Sequence, residues 1–169
     1  HVALTSLENP PTPPFVDTVE FREDSYRSEP PYARLNHLGM TYATFSTTDL
    51  DGDFTYLQSK GVEFVSPPAT APNGERFVFF RDQDGAFLKL VETSEGEVHN
   101  TKPYPNLVRL VNTNMNVSDL ERSREFYRLL GFSESTPASQ SGGGDFAAAH
   151  GFAEAIEFLG EDISLGEGT

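Results

Sequence analysis

Two segments of the chain repeat the same pattern of hydrophobic and polar positions. Each segment predicts a strand followed by a helix that ends at a glycine: ATFSTTDLDGDFTYLQSKGV and NMNVSDLERSREFYRLLGF. The apolar residues on one face of each helix are Leu50, Phe54 and Leu57 in the first and Leu120, Tyr127 and Leu130 in the second. Gly61 and Gly131 follow Asp49 and Asp119 at the same distance and predict the helix ends. The pattern therefore predicts two equivalent strand–helix units.

The start of each predicted helix carries a capping pattern. Ser118 and Glu121 have the spacing of a capping box, in which the hydroxyl and the carboxylate each accept a hydrogen bond from a backbone N–H. Thr48 and Asp51 form the weaker copy. We therefore expect Ser118 and Thr48 to be the N-cap residues.

Short apolar runs predict the strands that complete each unit. FVDTVE and FLKLVE match along their length and predict buried strands, with Asp17 opposite Lys89. Together with GVEFVS and ERFVFFRD, residues 37–92 form one strand, one helix and three strands. The other copy is divided, because its strand and helix lie at residues 107–132 whereas its last two strands, HVALTSLE and PFVDTVEF, lie at the N-terminus.

The divided copy has three explanations. The simplest is a circular permutation, natural or engineered, whose ends meet at a turn between strands. The others are a fragment of a tandem array and a strand-swapped dimer. At 169 residues we expect one domain. Its expected parts are module one, split as 1–31 plus 104–169, module two at 32–95, and a linker at 96–103.

Composition excludes several classes of partner. A net charge of −14 without a basic stripe argues against nucleic acid and anionic membranes. No run of eighteen apolar residues predicts a membrane span. The chain has no Cys, which excludes disulfides and thiolate metal sites. Paired modules and strand exchange are both compatible with a homodimer.

The segments VSDLERSREFYRLLGF, DLDGDFTYLQSKGVEFVSPP and FFRDQDGAFLKLVE resemble the vicinal oxygen chelate superfamily, which includes glyoxalase I, bleomycin-resistance proteins, extradiol dioxygenases and methylmalonyl-CoA epimerase. The resemblance implies an α+β fold in which two βαβββ modules form a cup-shaped mixed β-sheet with helices outside. The residues themselves encode no location, and only the resemblance favours the cytoplasm.

The resemblance also implies where a metal would be held, at the first and last strands of each module. The corresponding residues are Asn112, Asp17, Tyr42 and Lys89. Only Asp17 is a good ligand for a hard metal. An ammonium ~4 Å from a cation repels each unit charge by about 4 kcal/mol at an effective dielectric constant of about 20. We therefore predict no divalent metal and no other cofactor.

Strand alternation predicts which side chains line the cup. The expected lining residues are Asn112, Asn114, Asn116, Tyr42, Thr44, Phe15, Asp17, Phe87 and Lys89. Val111, Met115 and Val117 alternate with the Asn residues and should pack on the helix. His37 precedes its strand and either reaches the rim of the cup or lies exposed in a loop. A lining of this kind suits a small organic ligand with oxygen functions.

Lys89 has two interpretations. In the first, its ammonium occupies the metal position and polarises a carbonyl or carboxylate, with Asp17 as proton acceptor and Tyr42 as donor. This would allow isomerisation, elimination or cyclisation without a metal. In the second, Lys89 and Asp17 form a structural ion pair. A non-catalytic protein that binds an antibiotic-like compound, as the bleomycin-resistance branch of the resemblance implies, is the alternative function.

Overall fold

The computed structural model of the chain describes residues 2–4, 16–18, 33–96, 105–142, 144–151 and 156–165. The strands are β1 (Val2–Leu4), β2 (Val16–Thr18), β3 (Gly39–Thr47), β4 (Ala69–Thr70), β5 (Arg76–Arg81), β6 (Phe87–Glu92), β7 (Leu107–Asn116), β8 (Phe132–Gly142) and β9 (Ile156–Leu165). The helices are α1 (Leu50–Ser59), α2 (Leu120–Leu129) and α3 (Gly144–Ala149). None of these three helices is long and apolar enough to cross a membrane.

A five-stranded mixed sheet forms the centre of the fold, in the order β4-β5-β6-β3-β7. β3 runs parallel to β6, and the other neighbouring pairs are antiparallel. The succession β3, α1, β4, β5, β6 has the order of one strand, one helix and three strands predicted for residues 37–92, although β4 lies after the predicted strand GVEFVS. The α+β fold class is confirmed. β7, the first strand of the other predicted module, joins this sheet beside β3.

The remaining strands form two separate sheets. β1 pairs with β2, and β8 pairs with β9, both antiparallel. These strands belong to the module that we expect to be divided between the two ends of the chain. The division, and the domain boundaries that depend on it, stay predictions.

The N-caps of α1 and α2 are one residue later than predicted. Asp49 caps α1 and Asp119 caps α2, each accepting a hydrogen bond from a backbone N–H of the first turn. The prediction of Thr48 and Ser118 was therefore wrong. A carboxylate is both a good cap and a favourable charge at the positive end of the helix dipole, which explains why the Asp takes the role in both copies.

The ends of the two helices are also equivalent. Gly61 and Gly131 have φ angles of 86° and 87°, in the left-handed region where glycine is favoured. Each donates its N–H to a carbonyl of the preceding turn, of Gln58 and Arg128 respectively. The predicted helix ends are confirmed, and the two units repeat one another in detail.

Residues 61–66, predicted as a strand, pair with β5 only in part. Val65 donates its backbone N–H to the carbonyl of Phe79 at 2.9 Å, but Phe64 forms no more than an isolated bridge. The Pro-Pro pair that follows cannot donate to a ladder because proline has no N–H. Regular pairing with β5 therefore begins only at β4.

The sheet carries a hydrophobic cluster on each face. The cluster beneath α1 consists of Leu50, Val78 and Leu90, with Phe45, Phe54, Leu57, Phe64, Phe80 and Leu107 around them. The cluster on the opposite face consists of Leu35, Ala71, Phe77, Phe79, Phe87, Val91 and Ala149. Alternation along β5 and β6 explains the division, since successive side chains point to opposite faces. The predicted apolar face of α1 is confirmed.

A buried carboxylate joins α1 to the start of β7. Asp53 is fully buried, and its Oδ2 accepts a hydrogen bond from Thr47 Oγ1 at 2.5 Å. Its Oδ1 accepts from the backbone N–H of Asn106 at 2.8 Å and from Nδ2 of the same residue at 3.2 Å. Helix α1 thereby fixes the residue that precedes β7, and so the register of β7 beside β3.

The outer face of β7 differs from the prediction. We expected Val111, Met115 and Val117 to be covered by α2, but they are 41%, 38% and 40% exposed. One direct link is present, a hydrogen bond from the hydroxyl of Tyr127 to Sδ of Met115 at 2.9 Å. The prediction that α2 covers these three side chains was therefore wrong. Helix α2 itself has no buried residue.

Candidate ligand-binding site

Lys89 lies in the middle of β6 on the face of the sheet opposite α1. Its Nζ is 2.7 Å from Oε1 of Glu75, and its side chain is 16% exposed. The same ammonium lies 4.9 Å from the ring centre of Phe77 and 5.9 Å from that of Phe79, within cation–π range. A carboxylate and an aromatic face therefore hold one partly buried positive charge.

The sheet register places several predicted site residues next to Lys89. Thr44 on β3 is aligned with Lys89 on one side and with Asn112 of β7 on the other. Tyr42 is aligned with Phe87 in the same way. Thr44 and Phe87 are buried, whereas Asn112 is exposed. Three neighbouring strands thus bring these five predicted residues together.

Two further aromatic rings contact Phe77 and Phe79, the two rings within cation–π range of the ammonium. The ring of Tyr42 meets Phe79 edge to face at 4.9 Å, and Phe79 meets Phe77 at 5.7 Å. His150, which directly follows α3, contacts both phenylalanines at 5.2 Å and 4.8 Å and is buried. The site therefore combines one charge pair with four contacting rings.

Three other predicted residues have structural contacts at the end of the sheet. Nδ2 of Asn114 donates to Thr41 Oγ1 at 2.9 Å and to Oδ1 of Asn116 at 3.0 Å. Nδ2 of Asn116 donates to the carbonyls of Leu35 and His37. His37 is exposed and lies in the connection before β3, as the loop interpretation expected. Asn114 and Asn116 therefore anchor this connection.

Two predicted residues cannot be placed beside Lys89. Phe15 lies outside the described residues, and so does the side chain of Asp17, whose backbone pairs with Ala3 in the small β1–β2 sheet. The carboxylate that contacts Lys89 is Glu75, not one that we predicted. Roles for Asp17 and Phe15 stay predictions.

Some of the site residues that the sequence analysis did not name follow a pattern that could have predicted them, but one does not. Glu75, Phe77 and Phe79 alternate along one segment, and β5 aligns Phe79 with Lys89, so the period of two places all three on the face of Lys89. His150 has no comparable signal. Its position depends on how residues 144–151 pack against the sheet, which no local pattern specifies.

The described residues at the expected metal positions do not fit a divalent cation. Lys89 supplies an ammonium that is already paired with a carboxylate, and Tyr42 presents a ring packed on Phe79. Asn112 offers only a neutral amide. Within the part of the chain that the structure describes, no three His, Asp or Glu side chains form a group that could hold a metal ion.

A nearby arginine has a structural role. Nη2 of Arg76 lies 2.7 Å from Oδ1 of Asp51 at the start of α1, and Nη1 lies 3.0 Å from Oε2 of Glu92 at the end of β6. The pKa of Arg76 is raised, first by the hydrogen bond to Asp51 and then by the one to Glu92. The Arg76 guanidinium therefore links the start of α1 to the end of β6, and its hydrogen bonds go to Asp51 and Glu92 rather than toward Lys89.

Comparison with known proteins establishes the family. The model of the Glyoxalase/Bleomycin resistance protein/Dioxygenase superfamily matches residues 1–90, and the chain belongs to this superfamily. No curated protein matches the chain. A crystal structure from Bacillus subtilis subsp. subtilis str. 168, provisionally assigned as a dioxygenase, is similar at 14% identity with a TM-score of 0.44. The similarity covers 72% of this chain and 40% of that one, and at this level it says nothing about chemistry.

Proposed function

We propose that the chain binds a small organic molecule with oxygen functions beside Lys89, without a divalent metal. The observation that carries this proposal is the Lys89 ammonium, held between the Glu75 carboxylate and the Phe77 ring on the last strand of the βαβββ module. The superfamily resemblance puts a metal ligand at this strand position. An ammonium there attracts a carbonyl or carboxylate oxygen and repels a cation.

The contacts of Lys89 suit an oxygen ligand. The Lys89 side chain is 16% exposed and that of its partner Glu75 is 37% exposed, so the ion pair is within reach of solvent. A ligand carboxylate or carbonyl can share the ammonium, which has three N–H donors, without displacing Glu75. Thr44 and Tyr42, aligned beside Lys89 and Phe87, supply hydroxyl groups on neighbouring positions of the same face.

The proposed chemistry is proton transfer beside a carbonyl group. Lys89 polarises the carbonyl oxygen, Tyr42 donates a proton, and Asp17 accepts one. Isomerisation, elimination and cyclisation are the reactions that these roles allow. The assignment of Asp17 rests on the internal repeat, which aligns FVDTVE with FLKLVE.

A second function, binding without turnover, needs only the recognition groups of the site. Phe77, Phe79 and His150 are buried and hold the site rigid, whereas Tyr42 is partly exposed, so its ring can stack on a planar ligand without any acid or base. The charge of Lys89 is also balanced by Glu75, which suits recognition as well as catalysis. Turnover of the bound compound separates the two functions.

The test compares Lys89→Met with Lys60→Met. Lys60 caps the end of α1 and is exposed, so the control removes the same charge far from the site. A panel of small carboxylates, ketones and aromatic acids is screened by thermal shift and native mass spectrometry. We expect a compound that binds the native chain and Lys60→Met but not Lys89→Met, which is less stable than the native chain but remains folded at the temperature of the binding assay. Equal binding by all three proteins would rule out the proposal.

A further inference from the structure

Arg81 lies at the end of β5, on the face of the sheet that carries Lys89. β5 aligns Arg81 with Phe87 and Phe79 with Lys89, and side chains two residues apart on a strand share a face. Cζ of Arg81 lies 3.9 Å from the ring centre of Phe87, which belongs to the same buried cluster as Phe79. Arg81 and Lys89 are therefore diagonal neighbours, which lie about 7–8 Å apart on one face of an antiparallel pair.

Among the residues that the structure describes, Arg81 forms no ion pair, although two acidic residues lie close to it. Asp82 follows it, but Oδ1 of Asp82 accepts hydrogen bonds from two backbone N–H groups of the next turn, at 3.0 Å and 2.8 Å. Arg81 also donates its backbone N–H to the carbonyl of Glu63, yet its guanidinium leans to the other side, over Phe87. In a chain with 26 acidic and 12 basic residues, an arginine without an acidic partner is unexpected.

The hydrogen bonds of Arg81 leave most of its donors available. Nη1 donates to the backbone carbonyl of Gly85 and Nη2 to that of Ala33, each at 3.1 Å. A guanidinium has five N–H donors, so three have no partner among the described residues. Carbonyl groups satisfy donors but carry no net charge, so an anion would form the stronger, charge-assisted hydrogen bonds. Ala33 and Arg34 are exposed, and the Nη2 end of the group therefore reaches solvent.

The polar groups around the two cations are accessible to a ligand. The Lys89 side chain is 16% exposed, and Tyr42 and Arg81 are half-buried. Tyr42 is aligned with Phe87 across β3 and β6, so it lies on the same face as both cations. Phe79 and Phe87 are buried beneath these groups. Three partly exposed polar side chains thus surround an aromatic floor.

We infer that the ligand is a carboxylic acid whose carboxylate binds Arg81 and whose second oxygen function binds Lys89. The inference rests on the proposed function and adds the charge and shape of the ligand. A planar guanidinium can bind a carboxylate through two parallel hydrogen bonds, whereas the Lys89 ammonium already has the Glu75 carboxylate. The ammonium lies nearer the ring of Phe77 than that of Phe79, so it is displaced away from Arg81. The two oxygen functions must therefore be several bonds apart, as across a benzene ring.

The test compares 4-acetylbenzoate with 4-acetylbenzamide, which keeps the ring and the ketone but has no charge. Isothermal titration calorimetry measures both affinities for the native chain, Arg81→Gln and Arg109→Gln. Arg109 is exposed on β7, so its variant removes the same charge away from the site. We expect the native chain and Arg109→Gln to bind the acid at least about tenfold more tightly than the amide, and Arg81→Gln to bind both alike. Equal affinity of the native chain for both probes, no binding of the acid, or a preference kept in Arg81→Gln would overturn the inference.

The ratio of the two affinities separates recognition from a structural role. An arginine that only held Gly85 and Ala33 would weaken both probes together and leave their ratio unchanged. Arg81→Lys keeps the charge without the planar group and should keep a smaller preference for the acid, and its complete loss would contradict recognition by charge. Lys89→Met tests the proposed function alone, because unchanged affinity of this variant for the amide would contradict that function whatever Arg81 binds.

Discussion

The ammonium of Lys89 and the carboxylate of Glu75 lie 2.7 Å apart over the ring of Phe77. The pair joins the middle of β6 to the residue just before β5, across the face of the sheet that carries the candidate site. Since the Lys89 side chain is largely covered, removal of its partner leaves a charge with reduced access to water.

The Lys89–Glu75 pair should couple in a double-mutant cycle. We expect Glu75→Gln and Lys89→Met each to lower the free energy of unfolding, and the double variant to lose less than the sum, with a coupling of about 1 kcal/mol. Urea denaturation of the four proteins measures it, and the coupling should weaken at high salt. Additive losses would show that the pair contributes nothing to stability.

Among the carboxylates of the described residues, Asp53 should be the one whose replacement lowers the free energy of unfolding most. Asp53→Ala removes the acceptor for Thr47 and Asn106 and leaves buried donors without partners, which should cost about 3 kcal/mol of unfolding free energy. Asp53→Asn keeps one acceptor oxygen and should cost less. Asp84→Ala, in an exposed turn, is the control and should change stability by no more than about 0.5 kcal/mol. Equal stability of Asp53→Ala and the control would contradict the described network.

Gly96 should not tolerate a side chain. Its φ is 106°, and an added Cβ would overlap Cγ1 of the buried Val108. Gly96→Ala therefore combines backbone strain with a clash and should cost at least about 2 kcal/mol. Gly61→Ala shares a positive φ of 86° but meets nothing within 4 Å, so it should cost only the strain, about 1 kcal/mol. Thermal unfolding of both variants tests the difference, and an equal cost would exclude the clash.

The parts of the fold that the sequence predicts are those with a local pattern. β6 spans Phe87–Glu92 as its apolar run predicts, and α1 and α2 both end just before the predicted stop residues Gly61 and Gly131. The helix starts were displaced by one residue, because Ser118 and Asp119 can both cap a helix and the sequence does not choose between them. Local periodicity is enough to predict that a helix or strand exists, but it does not predict the residue at which the element begins.

The partners within the site depend on tertiary structure. Glu75 reaches Lys89 because residues 71–75 form a tight turn, in which Ala71 donates its N–H to the carbonyl of Glu75 at 2.8 Å. His150 reaches Phe77 and Phe79 from a segment distant in sequence. Lys89 itself was predicted because a charge in a buried strand is unusual in any fold.

Native mass spectrometry with metal analysis on one purified sample tests the central claim most directly. We predict no stoichiometric Zn, Ni, Mn or Fe in the native chain, and a small oxygenated organic molecule whose binding is lost in Lys89→Met and kept in Lys60→Met. One divalent metal per chain, coordinated by Asn112, Asp17, Tyr42 and Lys89, would contradict the account.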